Sequence, residues 1–323
     1  MKKSFRIKIR VFLIISLLII LFPTYINSMQ KKEELPLEII IGGELLQVNI
    51  NTKKIMYYKP ESNKGELINY DLIYKINDKN IKTRDDIFKF VLNNTNNNVK
   101  ILVFRNGEKK TIYVNKSELK PSYFNEYVPF SATLTYINPN NGEFGAVAHN
   151  IKIENLDNIL SKKGNIHLCN SLEIKKSNEH EVGTIHGEIE SNKLGTINKI
   201  NNFGAKGYLN LNNLKEKQIY KVGRTSEVRL GLASLVINNS SEESKKFYDI
   251  EITKINKQEK PSTQGFEFEV TDKEFLNEYG GILQGMSGSP IIQNGKIIGA
   301  LSHVISNNTK MGIGLYIEWM MEK

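Results

Sequence analysis

From residue 38 onward the apolar residues come in short runs, many of them alternating with polar ones, and Gly, Asn, Pro and Asp gather between the runs. That is the signature of short strands joined by tight turns. "EIIIGGELLQVNI" (38–50) predicts strand, glycine turn, strand, and "DLIYKINDKNI" (71–81) alternates around the turn pair Asn77-Asp78. "TRDDIFKFVLNN" (83–94) breaks the alternation. Its Ile87, Phe88, Val91 and Leu92 recur at helical spacing behind Thr83, a natural N-cap. "VKILVFRNGEKKTIYVN" (99–115) predicts a hairpin about Asn106-Gly107. Residues 35–118 therefore predict a small β-β-β-α-β-β domain after a polar linker at 29–37.

A connector at 120–129 leads into a second, β-rich region that runs to residue 323. "SATLTYINPNNGEFGAVAH" (131–149) predicts strand, turn, strand, and "NKLGTINKI", "GAKGYLNL", "FYDIEITKI" and "GFEFEVT" continue the pattern at short intervals. Many short strands with turn signals between them predict a sandwich or barrel. "TDKEFLNEYGG" (271–281) is the exception: Thr271 as N-cap, Glu274 completing a capping box and Gly280-Gly281 as the stop predict one short helix. A last helix is predicted in "GLYIEWMMEK" at the end. The fold class is mainly β, an α+β domain followed by a barrel-type domain.

Charge changes this picture less than its size promises. The chain of 323 residues carries a formal +9, but Lys2, Lys3, Arg6, Lys8 and Arg10 stand before the first apolar run with no acid among them. Setting those five aside leaves 39 basic against 35 acidic residues, too even for a phosphate-binding surface. No nucleic-acid partner is expected. The run that follows, "VFLIISLLIILFPTYI" (11–26), is broken by Pro23. It is short of the about 20 apolar residues a full span needs and suits an export signal. Asn27-Ser28-Met29 makes a poor cleavage site, so residues 1–28 read as an N-terminal signal or a short membrane anchor, and the rest of the chain is expected outside the cytoplasm, secreted or anchored. A single cysteine, Cys169, excludes an internal disulfide framework, and the five histidines lie apart, with no metal spacing even at His180 and His186. No metal or cofactor is expected.

The chemistry gathers in "GGILQGMSGSPIIQNGKIIGALSHV" (280–304). A serine hydroxyl becomes a nucleophile only beside a base, and it needs donors aimed at the oxyanion that its attack creates. Glycines on both sides of Met286-Ser287 let the backbone turn its amides toward one point, so Gly285 and Ser287 are the candidate oxyanion donors and Ser287 the nucleophile. The turn does not feed a helix, as a P-loop or a hydrolase elbow does, because Pro290 and Asn294-Gly295 mark a strand hairpin. The first candidate base is His149, set after an apolar strand of small residues; His303, after the strand that follows the serine, is the second candidate and is also placed to line the cleft. Between base and nucleophile stand Asp157, Asp249 and Asp272. Asp272 is either the carboxylate that steadies the base or an acid stabilised in the first turn of a helix.

These residues carry a family. "GEFGAVAHN", the serine loop and the closing "GIGLYIEWM" resemble the SpoIVB peptidases of spore-forming Firmicutes. The resemblance implies an N-terminal membrane segment, a PDZ domain and a chymotrypsin-like double β-barrel peptidase domain at 120–323. It places the nucleophile at Ser287, the base at His149 and the acid at Asp272. "KGELINYDLIYKINDKNI" is similar to the PDZ pattern, with Glu66, Tyr70 and Asp78 where that pattern has glycine; Ile41, Gly42, Gly43 and Leu45 would then form the loop that captures a peptide carboxylate. The activity implied is that of a sporulation endopeptidase in the space between the forespore membranes. It would cleave its own N-terminal region, in the 27–45 linker, and a membrane-associated regulator of sigma-K. The alternatives are a silent PDZ-and-barrel adaptor and a general quality-control protease.

Overall fold

The computed structural model describes residues 35–59, 65–151, 160–214, 217–238, 245–258 and 260–322. The expected N-terminal anchor and residue Asp157 lie outside them. Among the described residues no helix is long and apolar enough to cross a membrane.

In chain order the strands begin with β1 (Glu38–Ile41), β2 (Leu45–Tyr57), β3 (Leu72–Ile76) and β4 (Lys79–Asn80). Helix α1 (Arg84–Asn93) precedes β5 (Asn98–Arg105) and β6 (Glu108–Asn115). Then come β7 (Phe124–Ile137), β8 (Glu143–Ala146), β9 (Leu160–Lys175), β10 (Thr184–Asn201), β11 (Gly204–Leu209) and β12 (Ile219–Val222). The chain continues with β13 (Gly231–Ile237), β14 (Lys246–Ile255), β15 (Phe266–Val270) and helix α2 (Lys273–Tyr279). It ends with β16 (Pro290–Gln293), β17 (Lys296–Ile305), β18 (Asn308–Tyr316) and helix α3 (Ile317–Met321).

Two circuits of antiparallel pairing close on themselves. In the first, β2 pairs β7, β7 pairs β8, then β11, β10 and β9 follow, and β9 returns to β2. Leu46, Val48, Ile50, Leu134, Phe144 and Ile166 fill it. In the second, β13 pairs β14, then β15, β18, β17 and β16 follow, and β16 returns to β13. Leu235, Ile250, Phe266, Phe268, Ile291 and Leu301 fill that one. Closure satisfies every edge strand, and inward positions every second residue build each core; β15 "FEFEV" buries Phe266, Phe268 and Val270 and turns its two glutamates outward. β1 pairs β7 of the first barrel and β12, which runs parallel to β17 of the second. The mainly β, double-barrel architecture expected from the sequence is present.

The first strands depart from expectation. The sequence placed 35–118 in one domain, but the first half of β2 closes the first barrel between β7 and β9, and β1 pairs β7 and β12. The ladder between β2 and β7 continues past a bulge to Met56↔Asn125 and Tyr57↔Phe124, so residues 58–123 are inserted at the far end of one barrel hairpin. The insertion has its own core, including Ile73, Ile76, Ile87, Val99, Ile101 and Ile112. Thr83 caps α1 as predicted: its hydroxyl accepts from the Asp86 amide at 3.2 Å and the Asp86 carboxylate accepts from the Thr83 amide at 3.0 Å. Of the predicted apolar stripe, Ile87 is buried while Phe88 and Leu92 face solvent. The turns at Asn77-Asp78, Asn106-Gly107 and Asn294-Gly295 all have both residues at positive φ, the geometry that hairpin turns of this length require.

The proposed carboxylate loop is also corrected. The amides of Ile41, Gly42 and Gly43 donate to the carbonyls of Gln218, Thr135 and Leu134. Leu45 pairs with Thr133, and an added Cβ on Gly42 would meet the Leu134 oxygen at 2.1 Å. Amides spent inside a barrel are not free to receive a peptide terminus, so these four residues are barrel backbone.

Candidate active site

The serine loop lies between α2 and β16 and has little regular structure of its own. It is held against β7. The Thr133 amide donates to the Ser287 carbonyl at 2.8 Å, the Thr133 hydroxyl to the Gly285 carbonyl at 2.9 Å, and the Thr135 hydroxyl to the Gly288 carbonyl at 2.7 Å. Ser289, fully buried, closes the turn: its amide and hydroxyl both donate to the Met286 carbonyl, at 3.0 and 2.7 Å. Gly288 sits at φ 101° where an added Cβ would meet the Thr133 oxygen at 2.2 Å, so only glycine allows this approach.

The amides sort into two sets. Those of Met286, Gly288 and Ser289 donate to Leu283, Leu301 and Met286 carbonyls. Those of Gly285 and Ser287 have no hydrogen-bond partner among the described residues. Unpaired amides in so enclosed a loop are costly unless something else is to receive them. These two are the donors the sequence nominated for an oxyanion.

His149 reaches the same corner through a strained turn. Val147 and Ala148 follow β8 with φ of 82° and 59°, the first being a conformation that β-branched residues rarely adopt. The Val147 amide donates to the Thr133 carbonyl at 3.3 Å, so one residue of β7 touches both the serine loop and the histidine turn. His149 Nδ1 lies 2.9 Å from the Asn150 carbonyl, which can only accept. Nδ1 therefore carries the proton and Nε2 presents a lone pair, the state a general base needs. The His303 ring lies 5.2 Å from the His149 ring. Ser302 joins this group, its hydroxyl 2.8 Å from His303 Nδ1 and its carbonyl accepting from the Ser287 hydroxyl at 3.4 Å.

Burial holds the His149 pKa below its usual 6.5. His303 is held low by burial and then by His149. The neutral base persists down to a pH below 6.5, and labelling of the serine by a phosphonate is expected to fall off only there; an acid limb above pH 6.5 contradicts this assignment. Stability has the same sign. The unfolded chain takes up these protons first, so the contribution is complete above the unfolded pKa and is lost as pH falls below it.

Asp272 does not join the group. It is the N-cap of α2: one carboxylate oxygen accepts from the Phe275 amide at 2.9 Å, the other from the Asp249 amide at 3.2 Å. No histidine is among its partners. The expected cap, Thr271, is one residue early; its hydroxyl donates to the Asp249 carbonyl. Glu274, expected to complete a capping box, pairs with Lys246 instead. The third position beside His149 belongs to the Asn150 carbonyl.

Thr133, Thr135 and Ser289 escaped the sequence reading. For the two threonines the signal was present, since the T-x-T of "SATLTY" puts two hydroxyls on one face of a strand, between Ala132, Leu134 and Tyr136.

A double-barrel fold that brings a serine, a histidine and two waiting amides to one corner has the parts that serine peptidase chemistry requires. Residues 123–321 match the family described as SpoIVB peptidase S55. The match covers more than half of the sequence, and the chain belongs to that family. The match begins at the start of β7, although the first barrel is closed only with β2, which precedes it. Among curated proteins none matches by sequence. Solved structures similar to this chain include an HtrA-type protease, AlgW, with decapeptide, at 12% identity and a TM-score of 0.34. The alignment covers 85% of this chain and 61% of that one.

Proposed function

We propose that this chain is an exported serine endopeptidase of sporulation signalling, with Ser287 as nucleophile and His149 as general base. The observation that carries the reading is the pair of amides at Gly285 and Ser287, unpartnered among the described residues, which a silent adaptor has no use for. In the reaction the Ser287 hydroxyl exchanges its long bond to Ser302 for one to His149 Nε2. The base takes the proton as the oxygen attacks the scissile carbonyl carbon. The carbonyl electron pair moves onto oxygen, where the two amides stabilise it. Collapse breaks the C–N bond, and the proton on His149 leaves with the amine. Water then repeats the sequence on the acyl ester. The Asn150 carbonyl fixes the tautomer of the base throughout.

The N-terminal cations and apolar run, together with the family, support a reading of the site of action. The chain is exported into the forespore intermembrane space, held by residues 1–28, and cleaves a membrane-associated regulator that triggers sigma-K activation. The insertion at 58–123 is a PDZ-like module. Tyr70 and Asp78, which replace glycines of the PDZ pattern, keep positive φ values of 75° and 66°. Self-cleavage belongs on the N-terminal side of Glu38, because Glu38–Ile41 is paired into the barrels. Intact mass of the full chain followed over time tests this: the wild type is expected to lose a fragment ending before Glu38. A stable full-length mass, or a cut within β1, overturns the self-cleavage reading.

A further inference from the structure

The segment that leads into the serine loop, Gly280 to Gln284, is held from outside. The long β9–β10 hairpin belongs to the first barrel, but its tip, residues 176–183, leaves that barrel and docks on this segment of the second. The Ser177 amide donates to the Tyr279 carbonyl at 2.9 Å. The Gln284 amide donates to the Gly183 carbonyl at 2.9 Å, and the Ile185 amide to the Gln284 carbonyl at 3.0 Å. The Ser177 hydroxyl donates to the Ile282 carbonyl at 2.7 Å while accepting from the Gly183 amide at 2.8 Å. One buried hydroxyl thus closes the hairpin tip and fastens it to the segment before the nucleophile.

The neighbouring side chains lock the same contact. The Thr309 hydroxyl donates to the Asn178 carbonyl at 3.2 Å, and the Thr309 carbonyl accepts from the Ile282 amide at 2.7 Å. The double glycine marks how close the approach is. An added Cβ on Gly280 would meet the Ser177 oxygen at 2.1 Å, and one on Gly281 the Thr309 hydroxyl at 2.5 Å. Ile185, the second residue of β10 after the tip, packs on Gly285 itself, where an added Cβ would meet its Cγ2 at 2.7 Å. The contact therefore extends to an oxyanion donor.

We infer that the β9–β10 tip is the element that sets the oxyanion amides, with Ser177 as its positioning residue. The inference rests on Ser287 being the nucleophile. An oxyanion donor works only when it is aimed before the reaction begins, and a misplacement of about 1 Å costs on the order of a hundredfold in rate. Amides that make no bonds of their own cannot hold themselves in place. The first barrel supplies the base, and through this tip it also holds the loop of the second.

The test uses the full chain and a fluorescent phosphonate. Ser177→Ala is expected to slow the maximal rate of adduct formation by roughly ten- to a hundredfold. The half-saturating phosphonate concentration and the midpoint of the acid limb stay at wild-type values, because neither general binding nor His149 is touched. Ser177→Thr keeps the hydroxyl and is expected to restore most of the rate. A folded Ser177→Ala that labels at the wild-type rate overturns the inference. If that variant does not fold, Thr309→Val decides: it removes the bond to Asn178 and leaves the backbone bond to Ile282, and it is expected to label severalfold more slowly. An unchanged rate overturns the inference. Absence of labelling in the wild type removes the nucleophile assignment itself, whereas normal labelling of Ser177→Ala removes only the role of the tip.

Discussion

Ser287→Ala and His149→Ala are each expected to slow proteolysis by about four to six orders of magnitude, and the double variant to be no slower than either. The two residues act as a unit, since the hydroxyl is inert without the base and the base has nothing to deprotonate without the hydroxyl. What survives is the modest rate given by the amides of Gly285 and Ser287 acting on a bound substrate. The effect is chemical. Among the described residues the Ser287 hydroxyl makes one long bond, 3.4 Å to the Ser302 carbonyl, so its removal leaves thermal unfolding near that of the wild type. His149→Ala leaves a gap beside His303 and is expected to unfold at a somewhat lower temperature. The single-turnover rate of self-cleavage, read beside a melting curve, separates the two effects. A Ser287→Ala protein that still shortens itself at a measurable fraction of the wild-type rate contradicts the assignment.

Asp272→Asn is expected to keep activity within about threefold of wild type, because Asn caps a helix about as well as Asp does. If Asp272 were the acid that steadies His149, the same change would cost about ten-thousandfold, the amide forcing the wrong tautomer on the base. The two roles are therefore separated by orders of magnitude in a variant that differs by one atom in kind. Asp272→Ala is expected to lose about 1 kcal/mol of stability through the lost cap. It also loosens α2, which leads into the serine loop, so a fall in its activity alone does not identify a catalytic acid. Activity of the Asn variant against a peptide substrate, with the Ala variant's melting temperature, reads both. A collapse of the Asn variant would place a carboxylate beside His149 in the working enzyme.

Much of this was legible in the sequence because it depends on neighbours along the chain. Turn chemistry fixed the hairpins at Asn77-Asp78, Asn106-Gly107 and Asn294-Gly295, and the crowding of glycine around Met286-Ser287 singled out the loop whose Gly285 and Ser287 amides make no bond to the described residues. What was not legible depends on partners far away in sequence. The pair β1 and β2 has the same alternation whether it opens a small domain or closes a barrel with β7 and β9, and only the pairing decides. Asp272 carries the same residue type whether it caps α2 or holds a histidine. The carbonyl of Asn150 has no signature at all, since every residue has one. Ser177 carries no mark in the sequence either, because its bonds form only where the hairpin tip docks against Tyr279 and Ile282.

The most direct measurement is the site of phosphonate attachment. The full chain is treated with a serine-directed phosphonate, digested, and the adduct located by peptide mass. A single adduct on Ser287, absent from the Ser287→Ala protein, is the expected result. No adduct, or one on another serine, contradicts the assignment of Ser287 as the nucleophile.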